Sequence, residues 1–261
     1  MELPRPNGLV ALLTDFGVDE PWAGVMRAVV KRHNVKADVI DLCHGVPAHD
    51  VGTGAFYLAA AVARFPPGTV VVAVVDPGVG TLRRALAACA AGCFWLGPDN
   101  GVLEPILDRE DLELREIDIE KLRLPAPSRT FHGRDVFAPV AGMLSSGRFG
   151  FRAVGDKVRD PIRLESTPFA TDVAPRVAHV DRFGNLITNV PAARVAAERW
   201  VGVRIAGVDV PRGLAYSDAQ PGAAIALIDS YDLLEIAVCR GRAADVLGAR
   251  VGTPIEPVLA R

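Results

Sequence analysis

Two short stretches of the sequence concentrate side chains that can move a proton. In VVDPGVGTLRR, Asp76 ends an apolar run and Arg83 follows a few residues later. In TFHGRD, His132 precedes Gly133, whose missing side chain leaves room for a small molecule beside the imidazole. Histidine is the side chain best suited to proton transfer near neutral pH. These residue types point to acid–base chemistry on a small molecule.

Both stretches also have a purely structural interpretation. The proline and glycines of DPGVGT are typical of a tight turn, and the stretch lacks the Gly-Lys-Ser/Thr ending of a phosphate-binding loop. Phe131 and Phe137 suit the core of the protein and leave the histidine between them as an ordinary polar residue. Arg134 then pairs with Asp135 or Asp99. Taken singly, the residues do not decide between these interpretations.

Two further polar stretches suit the recognition of a nucleoside. Asp15, in LLTDFG, can accept both hydrogens of a ribose diol, or it can cap the following helix. In HVDRFGNLITN, the ring of Phe183 stands between Asp181 and Asn185, which suits an adenine or an ammonium group. The same FGN is also a turn signal and is typical of a hairpin.

The elements that must position these residues begin with four short apolar runs, LVALL, ADVIDL, TVVVAVV and CFWLG. Helical stretches, PWAGVMRAVVKRH and DVGTGAFYLAAAVARF, lie between them. This alternation predicts an α/β fold with a mostly parallel sheet covered on both faces. Ligands of such sheets bind beyond the carboxyl ends of the strands. The loops TDFG, DPGVGT and GPDNG are therefore expected to converge on one crevice.

The character of the sequence changes after about residue 160. Residues 160–176 have the proline, threonine and charge mixture of a linker, and the sequence beyond them is typical of short strands with tight turns. We therefore expect an α/β domain over 1–165 and a smaller β-rich domain over 170–261.

The composition excludes several classes of partner. Lys and Arg total 29 against 31 Asp and Glu, and no basic run exceeds a pair, so no nucleic-acid footprint is present. The N-terminus lacks the apolar stretch of a secretory signal, and no uninterrupted apolar run reaches roughly 18 residues. We expect a cytoplasmic protein with a small-molecule partner and no membrane contact. Cys89 and Cys93, spaced for one helix face, are expected to be reduced and buried like the two other cysteines.

Five of these stretches together resemble the S-adenosylmethionine hydroxide adenosyltransferases. They are LLTDFG, VVDPGVGTLRR, GPDNGVL, TFHGRDVFAPVA and HVDRFGNLITN, which stand in the family's order, and SYDLLEIAV adds a weaker match. The resemblance covers nearly the whole chain. It implies an α/β domain followed by a small β-barrel-like domain, in a homotrimer with its active sites at subunit interfaces.

The resemblance also implies a reaction. Water, as hydroxide, displaces methionine from the 5′ carbon of S-adenosyl-L-methionine and gives adenosine and L-methionine, with no metal or other cofactor. The family's catalytic set corresponds to Asp76, Arg83 and His132. In that scheme the carboxylate and the imidazole accept the proton of the water, and the guanidinium favours the developing hydroxide.

The substrate-binding residues are implied by the same resemblance. It places Asp15 on the ribose hydroxyls, Asp181 on the methionine ammonium, and Phe183 and Asn185 beside the adenine. Ser230 matches a serine near the methionine end. Gly133 is expected to bind substrate as well, because its missing side chain leaves room beside the imidazole. Cys239 and Arg240 depart from the family pattern, which has asparagine and a small residue there, so the contacts at the adenine edge are in question.

Two other functions remain open on the sequence alone. The halogenating relatives have a tyrosine at the position of Asp76, and the fluorinating ones have tyrosine and serine at the positions of His132 and Gly133, so the sequence favours a hydrolase over a halogenase. A protein that binds S-adenosylmethionine or adenosine without turnover is the remaining alternative.

Overall fold

The computed structural model describes residues 3–164 and 174–260. Contacts between Cα atoms divide the chain into two compact units, Met1–Glu165 and Ser166–Arg261. Within the two described ranges, every helix is too short or too polar to cross a membrane.

The first unit is built on a mixed sheet that is mostly parallel, as the sequence predicts. Its strands β1 to β6 span Leu9–Thr14, Asp38–Cys43, Val70–Val74, Ala85–Ala90, Cys93–Pro98 and Glu113–Glu116. They stand in the order β2-β1-β3-β5-β4-β6. The first four in this order are parallel, whereas β4 and β6 are antiparallel to their neighbours.

Helices cover both faces of this sheet. Helices α1 to α4 span Trp22–His33, Val51–Val62, Glu104–Leu107 and Ala138–Ser145. Alternate residues of a strand point to opposite faces. Leu12 and Val72 accordingly pack with α1 and α4, whereas Leu13 and Val71 pack with α2 and α3. The central strands are buried on both sides, which explains their uninterrupted apolar sequences.

The two cysteines expected on one helix face lie instead in a β-hairpin. Cys89 is in β4 and Cys93 is in β5, and the hairpin pairs Cys89 with Phe94. Ala91 and Gly92 make the turn with positive φ values of 52° and 72°, as a two-residue hairpin turn requires. The sulfur atoms face opposite sides of the sheet, and both thiols are free and buried. The helix-face interpretation of the spacing was wrong. Cys93 lies in the run CFWLG, which is predicted as a strand, whereas alanine-rich ALAACA is a strand because pairing with its neighbours overrides helix propensity.

The carboxyl ends of the parallel strands and the start of α4 lie at the same edge of the first unit. β1, β3 and β5 are neighbours, so TDFG, DPGVGT and DNG leave from one edge. A single turn of π-helix, Gly133–Phe137, runs directly into α4. A Cβ atom on Gly142 would lie 2.7 Å from the Val30 carbonyl oxygen, so α4 packs closely against α1. This packing fixes the position of the π-helical turn.

The start of the predicted linker is bound to the first unit. The backbone N–H of Ile162 donates to the carboxylate of Asp99 at 2.7 Å. Arg163 donates to Glu104 at 2.9 Å and to Asp108 at 2.6 Å. Residues 165–173 of the predicted linker lie outside the described residues, and Arg176 at its end forms a bridge with Pro254.

The second unit is antiparallel and rich in short strands, as the sequence predicts. Its strands β7 to β13 span Val177–Val180, Leu186–Pro191, Trp200–Ile205, Val208–Pro211, Ala224–Ile228, Leu233–Val238 and Ile255–Leu259. Its helices α5 and α6 span Ala192–Ala197 and Ala243–Val246. The strands form two sheets, β11-β12-β8-β7 and β10-β9-β13, around a core that contains Trp200, Val203 and Ile236.

Candidate active site

Asp76 and Arg83 form a buried ion pair at the end of β3. Arg83 Nε lies 2.8 Å from Oδ1 and 3.0 Å from Oδ2 of Asp76, and Nη2 also donates to Oδ2. The two side chains are only 5% and 7% exposed. The pair is thus a two-pronged, charge-assisted contact that is largely shielded from water.

The loop between the two residues is folded by local hydrogen bonds. The N–H of Val79 donates to the Asp76 carbonyl at 3.2 Å, and the Thr81 hydroxyl donates to the Gly78 carbonyl at 2.7 Å. The resulting turns bring the chain back so that Arg83 reaches Asp76. The turn predicted from DPGVGT is therefore compatible with a functional role, because this turn brings Arg83 to Asp76.

Gly80 joins this loop to the stretch that carries the histidine. Its φ is +78°, and a Cβ atom there would lie 2.1 Å from the carbonyl oxygen of Arg129. Only glycine fits that approach between two backbones. The contact places the DPGVGT loop directly beside the residues that lead into TFHGRD.

His132 completes a three-residue cluster. Its Nδ1 lies 2.8 Å from Nη2 of Arg83. A guanidinium group only donates, so Nδ1 must accept and the neutral ring carries its proton on Nε2. Burial lowers the pKa of His132, and the charge of Arg83 lowers it further, against the opposing effect of Asp76 and Asp135. The imidazole is therefore held neutral near pH 7, with Nε2 as a donor.

Gly133 is surrounded by apolar side chains. A Cβ atom there would meet Met26 at 3.2 Å, and Phe16 and Phe131 at 3.3 Å each. The rings of Phe16 and Phe131 also pack edge to face, with centroids 5.5 Å apart. The room that the sequence suggested beside Gly133 is filled by the protein itself, so the structure gives this glycine a packing role. A substrate contact at Gly133 stays a prediction.

The remaining residues of TFHGRD have structural roles. Arg134 pairs with Asp135, with Nε 2.6 Å from Oδ1, and not with Asp99. The hydrogen bond from Arg134 is the largest cause that lowers the pKa of Asp135 to about 2. Phe137 is fully buried. The structural interpretation thus holds for the flanks of the motif, whereas the histidine reaches the Asp76–Arg83 pair.

Asp15 follows β1 and is half-buried. Its Oδ2 accepts a hydrogen bond from the backbone N–H of His49 at 2.9 Å. It does not cap the next helix, because α1 begins at Trp22 after Pro21, with no side-chain cap. The alternative role as a helix cap is therefore wrong. Asp15 lies at the same sheet edge as Asp76, after the neighbouring parallel strand.

The other predicted binding residues belong to the second unit. Asp181 and Asn185 flank the turn of the β7–β8 hairpin, where Asp181 Oδ1 accepts from the Asn185 N–H at 2.8 Å and Oδ2 accepts from the Asn185 side chain at 3.2 Å. Phe183 stands at the tip of this turn with 76% of its surface exposed. The hairpin interpretation is confirmed, and it presents an exposed aromatic ring beside an amide and a carboxylate.

Ser230 and the two departures from the family pattern flank β12. Ser230 lies in the turn after β11, where Asp229 Oδ1 accepts from the N–H of Tyr231 at 2.8 Å. After β12, the backbone N–H of Cys239 donates to Ala223 at 3.0 Å. Arg240 has a positive φ of 57°, a conformation that asparagine and glycine adopt more readily.

Glu235 of the second unit is a residue that sequence reasoning did not select. It is 4% exposed, and the hydroxyl of Tyr216 donates to its Oε1 at 2.8 Å. Burial raises its pKa to about 6, with further contributions from the charges of Asp181 and Asp229. The signal available in the sequence was a glutamate inside the apolar strand LLEIAV, where an acid is unusual. In the two described ranges, no three His, Cys, Asp or Glu side chains gather to hold a metal ion.

Comparison with known families matches both parts of the chain to one family. The model of the SAM hydroxide adenosyltransferase N-terminal domain matches residues 10–155, and that of the C-terminal domain matches residues 175–256. The (R)-S-adenosyl-L-methionine hydrolase of Thermus thermophilus is 39% identical over 258 residues, which cover 95% of this chain and 98% of the relative. The fluorinase of Nocardia brasiliensis is 24% identical over 269 residues, which cover 88% and 89%.

The fold is also shared with a solved structure. The crystal structure of an uncharacterized conserved protein from Thermotoga maritima superposes with a TM-score of 0.87 at 36% identity, covering 95% of this chain and 100% of the other. Both parts of the chain therefore match the family in sequence, and 95% of the chain matches the solved structure in fold. On this ground, and with Asp76, Arg83 and His132 gathered at the carboxyl edge of its sheet, the chain belongs to the SAM hydroxide adenosyltransferase family.

Proposed function

We propose that the protein hydrolyses S-adenosyl-L-methionine to adenosine and L-methionine. The observation that carries this proposal is the buried cluster of Asp76, Arg83 and His132, which offers a carboxylate and an N–H donor at one place. The relative from Thermus thermophilus is named as a hydrolase of the (R) form of this sulfonium compound. The substrate is accordingly expected to be one or both epimers at sulfur.

Hydrolysis of a sulfonium compound requires activation of the water and not of the leaving group. The sulfonium sulfur is an activated leaving group, so it leaves as a neutral thioether without protonation, and no metal or cofactor is needed. An oxygen–carbon bond forms at C5′ as the carbon–sulfur bond breaks, and the electron pair of that bond goes to sulfur. Water is a weak nucleophile at neutral pH, so catalysis must orient it and remove its proton.

We assign the proton to Asp76. A carboxylate has about four lone-pair positions, so it can accept a further hydrogen while it remains bound to Arg83. His132 serves as a donor, because its Nδ1 faces Arg83 and its Nε2 carries the ring proton. This assignment revises the expectation that the imidazole takes the proton of the water. The Nε2–H instead holds the oxygen of the nucleophile while Asp76 acts as the base.

This assignment predicts an acid limb in the pH profile. Protonation of His132 would place a second N–H against Nη2 of Arg83 and open the cluster. Because its pKa is lowered, His132 stays neutral to below its ordinary value of 6.5. Activity, and the contribution of neutral His132 to stability, are therefore present above pH 6.5 and are lost as the pH falls through the lowered pKa.

The measurement is kcat/KM against pH for the wild type and for His132→Asn. The asparagine oxygen can accept from Arg83 in place of Nδ1 but does not titrate. The variant is expected to be slower and to lose the acid limb. An unchanged acid limb in His132→Asn would show that another group sets it.

We further propose the binding roles that the family pattern implies. Asp15 binds the ribose diol, and its open carboxylate position at the sheet edge supports this. Asp181 binds the methionine ammonium, with Ser230 near it, and Phe183 and Asn185 hold the adenine. The exposed ring of Phe183 supports the last assignment.

The ribose assignment predicts a non-additive result. Asp15→Ala is expected to raise KM for the natural substrate by about tenfold, the value of one charge-assisted hydrogen bond of about 1.5 kcal/mol. The 2′-deoxy substrate should lose affinity with the wild type but little more with the variant, because the carboxylate that binds the 2′ hydroxyl is already absent from the variant. KM measured for both substrates with both proteins tests this. If the factors by which KM rises for the variant and for the 2′-deoxy substrate multiply, Asp15 does not bind the ribose hydroxyls.

We also propose a homotrimer with active sites at subunit interfaces. Leu82, the residue before Arg83, has a fully exposed side chain, and so nearly does Leu214 at 88%. An exposed apolar side chain such as Leu82, directly before Arg83 of the reaction centre, suits burial against a second copy of the chain, and so does the exposed Leu214 of the second unit. The oligomeric state can be measured by light scattering.

The β-barrel-like form of the second unit is likewise our proposal. Bridges between Arg176 and Pro254 and between Arg212 and Ala226 join the edges of the two sheets. The strand order β7-β13-β9-β10-β11-β12-β8 then returns to β7, which supports closure into a small barrel.

The test of the function is an incubation of the protein with each epimer of S-adenosyl-L-methionine in ¹⁸O-labelled water, with Asp76→Ala as the control. We expect one ¹⁸O in the 5′ hydroxyl of adenosine, and no product with the variant. A halogenase would instead need halide and form a 5′-halogenated product. Stoichiometric retention of intact ligand without product would identify a binding protein.

A further inference from the structure

The GPDN stretch, residues 97–100, ends β5 and has no role in the function proposed so far. It lies at the same sheet edge as Asp76 but contributes no side chain to the Asp76–Arg83–His132 cluster. Asp99 is nonetheless 2% exposed, an unusual burial for a carboxylate. Its partners, and those of Asn100, lead back to the cluster.

The backbone carbonyl of Arg84 connects Asp99 with the cluster. This oxygen accepts from Nη1 of Arg83 at 3.1 Å and from the backbone N–H of Asp99 at 3.0 Å. Nε of Arg84 in turn donates to Oδ2 of Asp99 at 2.7 Å, and Nη2 lies 2.7 Å from the same oxygen in the ion pair. Arg84 and Asp99 are thus joined by a backbone hydrogen bond and by a side-chain ion pair. These contacts fix the Arg84 carbonyl, which in turn binds Nη1 of Arg83.

Asn100 makes an equivalent contact with the other half of the ion pair. Its side-chain amide donates to the carbonyl of Val75, the residue before Asp76, at 2.8 Å. Its side-chain oxygen accepts from the N–H of Val102 at 3.1 Å, which fixes the rotamer. Consecutive residues of one loop therefore fix the backbone on both sides of the Asp76–Arg83 loop.

The segment after residue 158 supplies the remaining partners of Arg84 and Asp99. Arg84 donates through Nη1 to the carboxylate of Asp160 at 2.9 Å and through Nη2 to its carbonyl at 2.6 Å. The N–H of Ile162 donates to the second carboxylate oxygen of Asp99 at 2.7 Å. Both carboxylate oxygens of Asp99 therefore have partners, Oδ2 in Arg84 and Oδ1 in Ile162.

We propose that Arg84, Asp99 and Asn100 are positioning residues that hold Arg83 and Asp76 in their catalytic arrangement. They act on the reaction only through the backbone on which the catalytic side chains stand and through the Arg84 carbonyl. A displacement of about 1 Å at a catalytic group costs roughly a hundredfold in rate. The role in catalysis rests on the proposed hydrolysis, whereas the positioning of Arg83 does not.

The test uses Arg84→Met, with Arg84→Lys as the conservative variant. Methionine keeps an unbranched apolar side chain and removes the bonds to Asp99 and Asp160. We expect Arg84→Met to lower kcat about tenfold or more, with KM changed by less than about threefold, because substrate contacts are untouched. Arg84→Lys, which retains one charged contact with Asp99, should recover part of kcat.

Arg163→Met is the matched control. Arg163 lies in the same segment and binds Glu104 and Asp108 but has no contact with Arg83. It should change kcat by less than about twofold, the range of an ordinary surface substitution. A loss in Arg163→Met equal to that in Arg84→Met would overturn the proposal, because attachment of the segment alone would then explain both.

A second measurement is independent of turnover. The titration of His132 by NMR reports on Arg83, whose charge helps to lower the pKa of that ring. His132→Asn identifies the signal among the five histidines of the chain. In Arg84→Met the pKa of His132 should rise toward 6.5, because Asp76 and Asp135 remain and the guanidinium moves away. Arg163→Met should titrate like the wild type.

The outcomes separate the two proposals. If the wild type does not hydrolyse the substrate, the function fails, yet the titration still decides whether Arg84 positions Arg83. An unchanged titration in folded Arg84→Met overturns the positioning role, even if kcat falls. If Arg84→Met does not fold, Asn100→Asp takes its place, because it keeps the shape of the side chain and sets an oxygen against the Val75 carbonyl.

Discussion

Asp76→Asn is expected to lower kcat by about 10²- to 10⁴-fold, the usual worth of a general base. The substitution preserves the size of the side chain, and its oxygen can still accept from Arg83. It removes the basicity that takes the proton of the water. Because the residue touches the nucleophile more than the substrate, the affinity should stay within about tenfold, which is 1.4 kcal/mol.

Single-turnover kinetics and binding of S-adenosyl-L-methionine measure the two effects separately. Asp209→Asn is the matched control, since Asp209 pairs with Arg204 through Nε and Nη2 at 2.7 and 2.9 Å but is exposed in the second unit. It should leave kcat unchanged. A weakened affinity with an unchanged kcat in Asp76→Asn would remove Asp76 from the role of base.

Arg83→Met is expected to destabilise the protein by about 3–5 kcal/mol as well as to abolish turnover. Its removal leaves the 5% exposed carboxylate of Asp76 without its counter-charge. His132 also loses the donor that fixes its tautomer. The large cost in stability follows from burial. A charge that loses its partner at the surface is solvated by water, whereas the buried Asp76 carboxylate is not.

Urea unfolding of Arg83→Met and Arg204→Met tests this contrast. Arg204 makes a contact of the same geometry with Asp209, but the side chains are 54% and 62% exposed. Its loss should cost no more than about 1 kcal/mol. Equal losses in the two variants would show that the Asp76–Arg83 pair is solvated in the protein. The double variant Asp76→Asn/Arg83→Met should regain part of the stability, since it no longer buries a lone charge.

The sequence was informative about the fold where local patterns coincide with tertiary burial. The run TVVVAVV predicts a strand because its seven consecutive residues are all β-branched or apolar, which is typical of a strand buried on both faces. The β4 strand, ALAACA, gives no such signal. Its identity depends on pairing with β5 and β6, which no local pattern records.

The candidate site, like the fold, could be predicted only in part, because its contacts are formed between distant parts of the sequence. Asp76 and His132 are far apart in sequence, and their residue types alone left a structural role open for each. Their grouping in the sequence came from the resemblance, and the contact through Arg83 is visible only in the structure. The tautomer of His132 could not be predicted either, since it depends on which atom lies opposite Nδ1.

The neighbouring residues Arg83 and Arg84 show most clearly that the sequence does not reveal which side chains will pair. Arg83 points to Asp76, and Arg84 points to Asp99. Two identical neighbouring residues thus acquire unrelated partners. Sequence reasoning selected Arg83 by resemblance and assigned no partner to Arg84, because Asp99 and Asp160 approach it only in the folded chain.

The π-helical turn at Gly133–Phe137 has a consequence for how this site tolerates change in chain length. The N–H of Ala138 donates to Gly133, one residue farther back than in an α-helix, so the turn contains an extra residue. Loss of one residue here would restore the α-helical register and rotate everything before it by about 100° around the axis of α4. The core face of α4 would survive, but His132 would leave Arg83. Deletions in this turn are therefore expected to separate folding from catalysis, and its length is as much a determinant of the site as the residues that it carries.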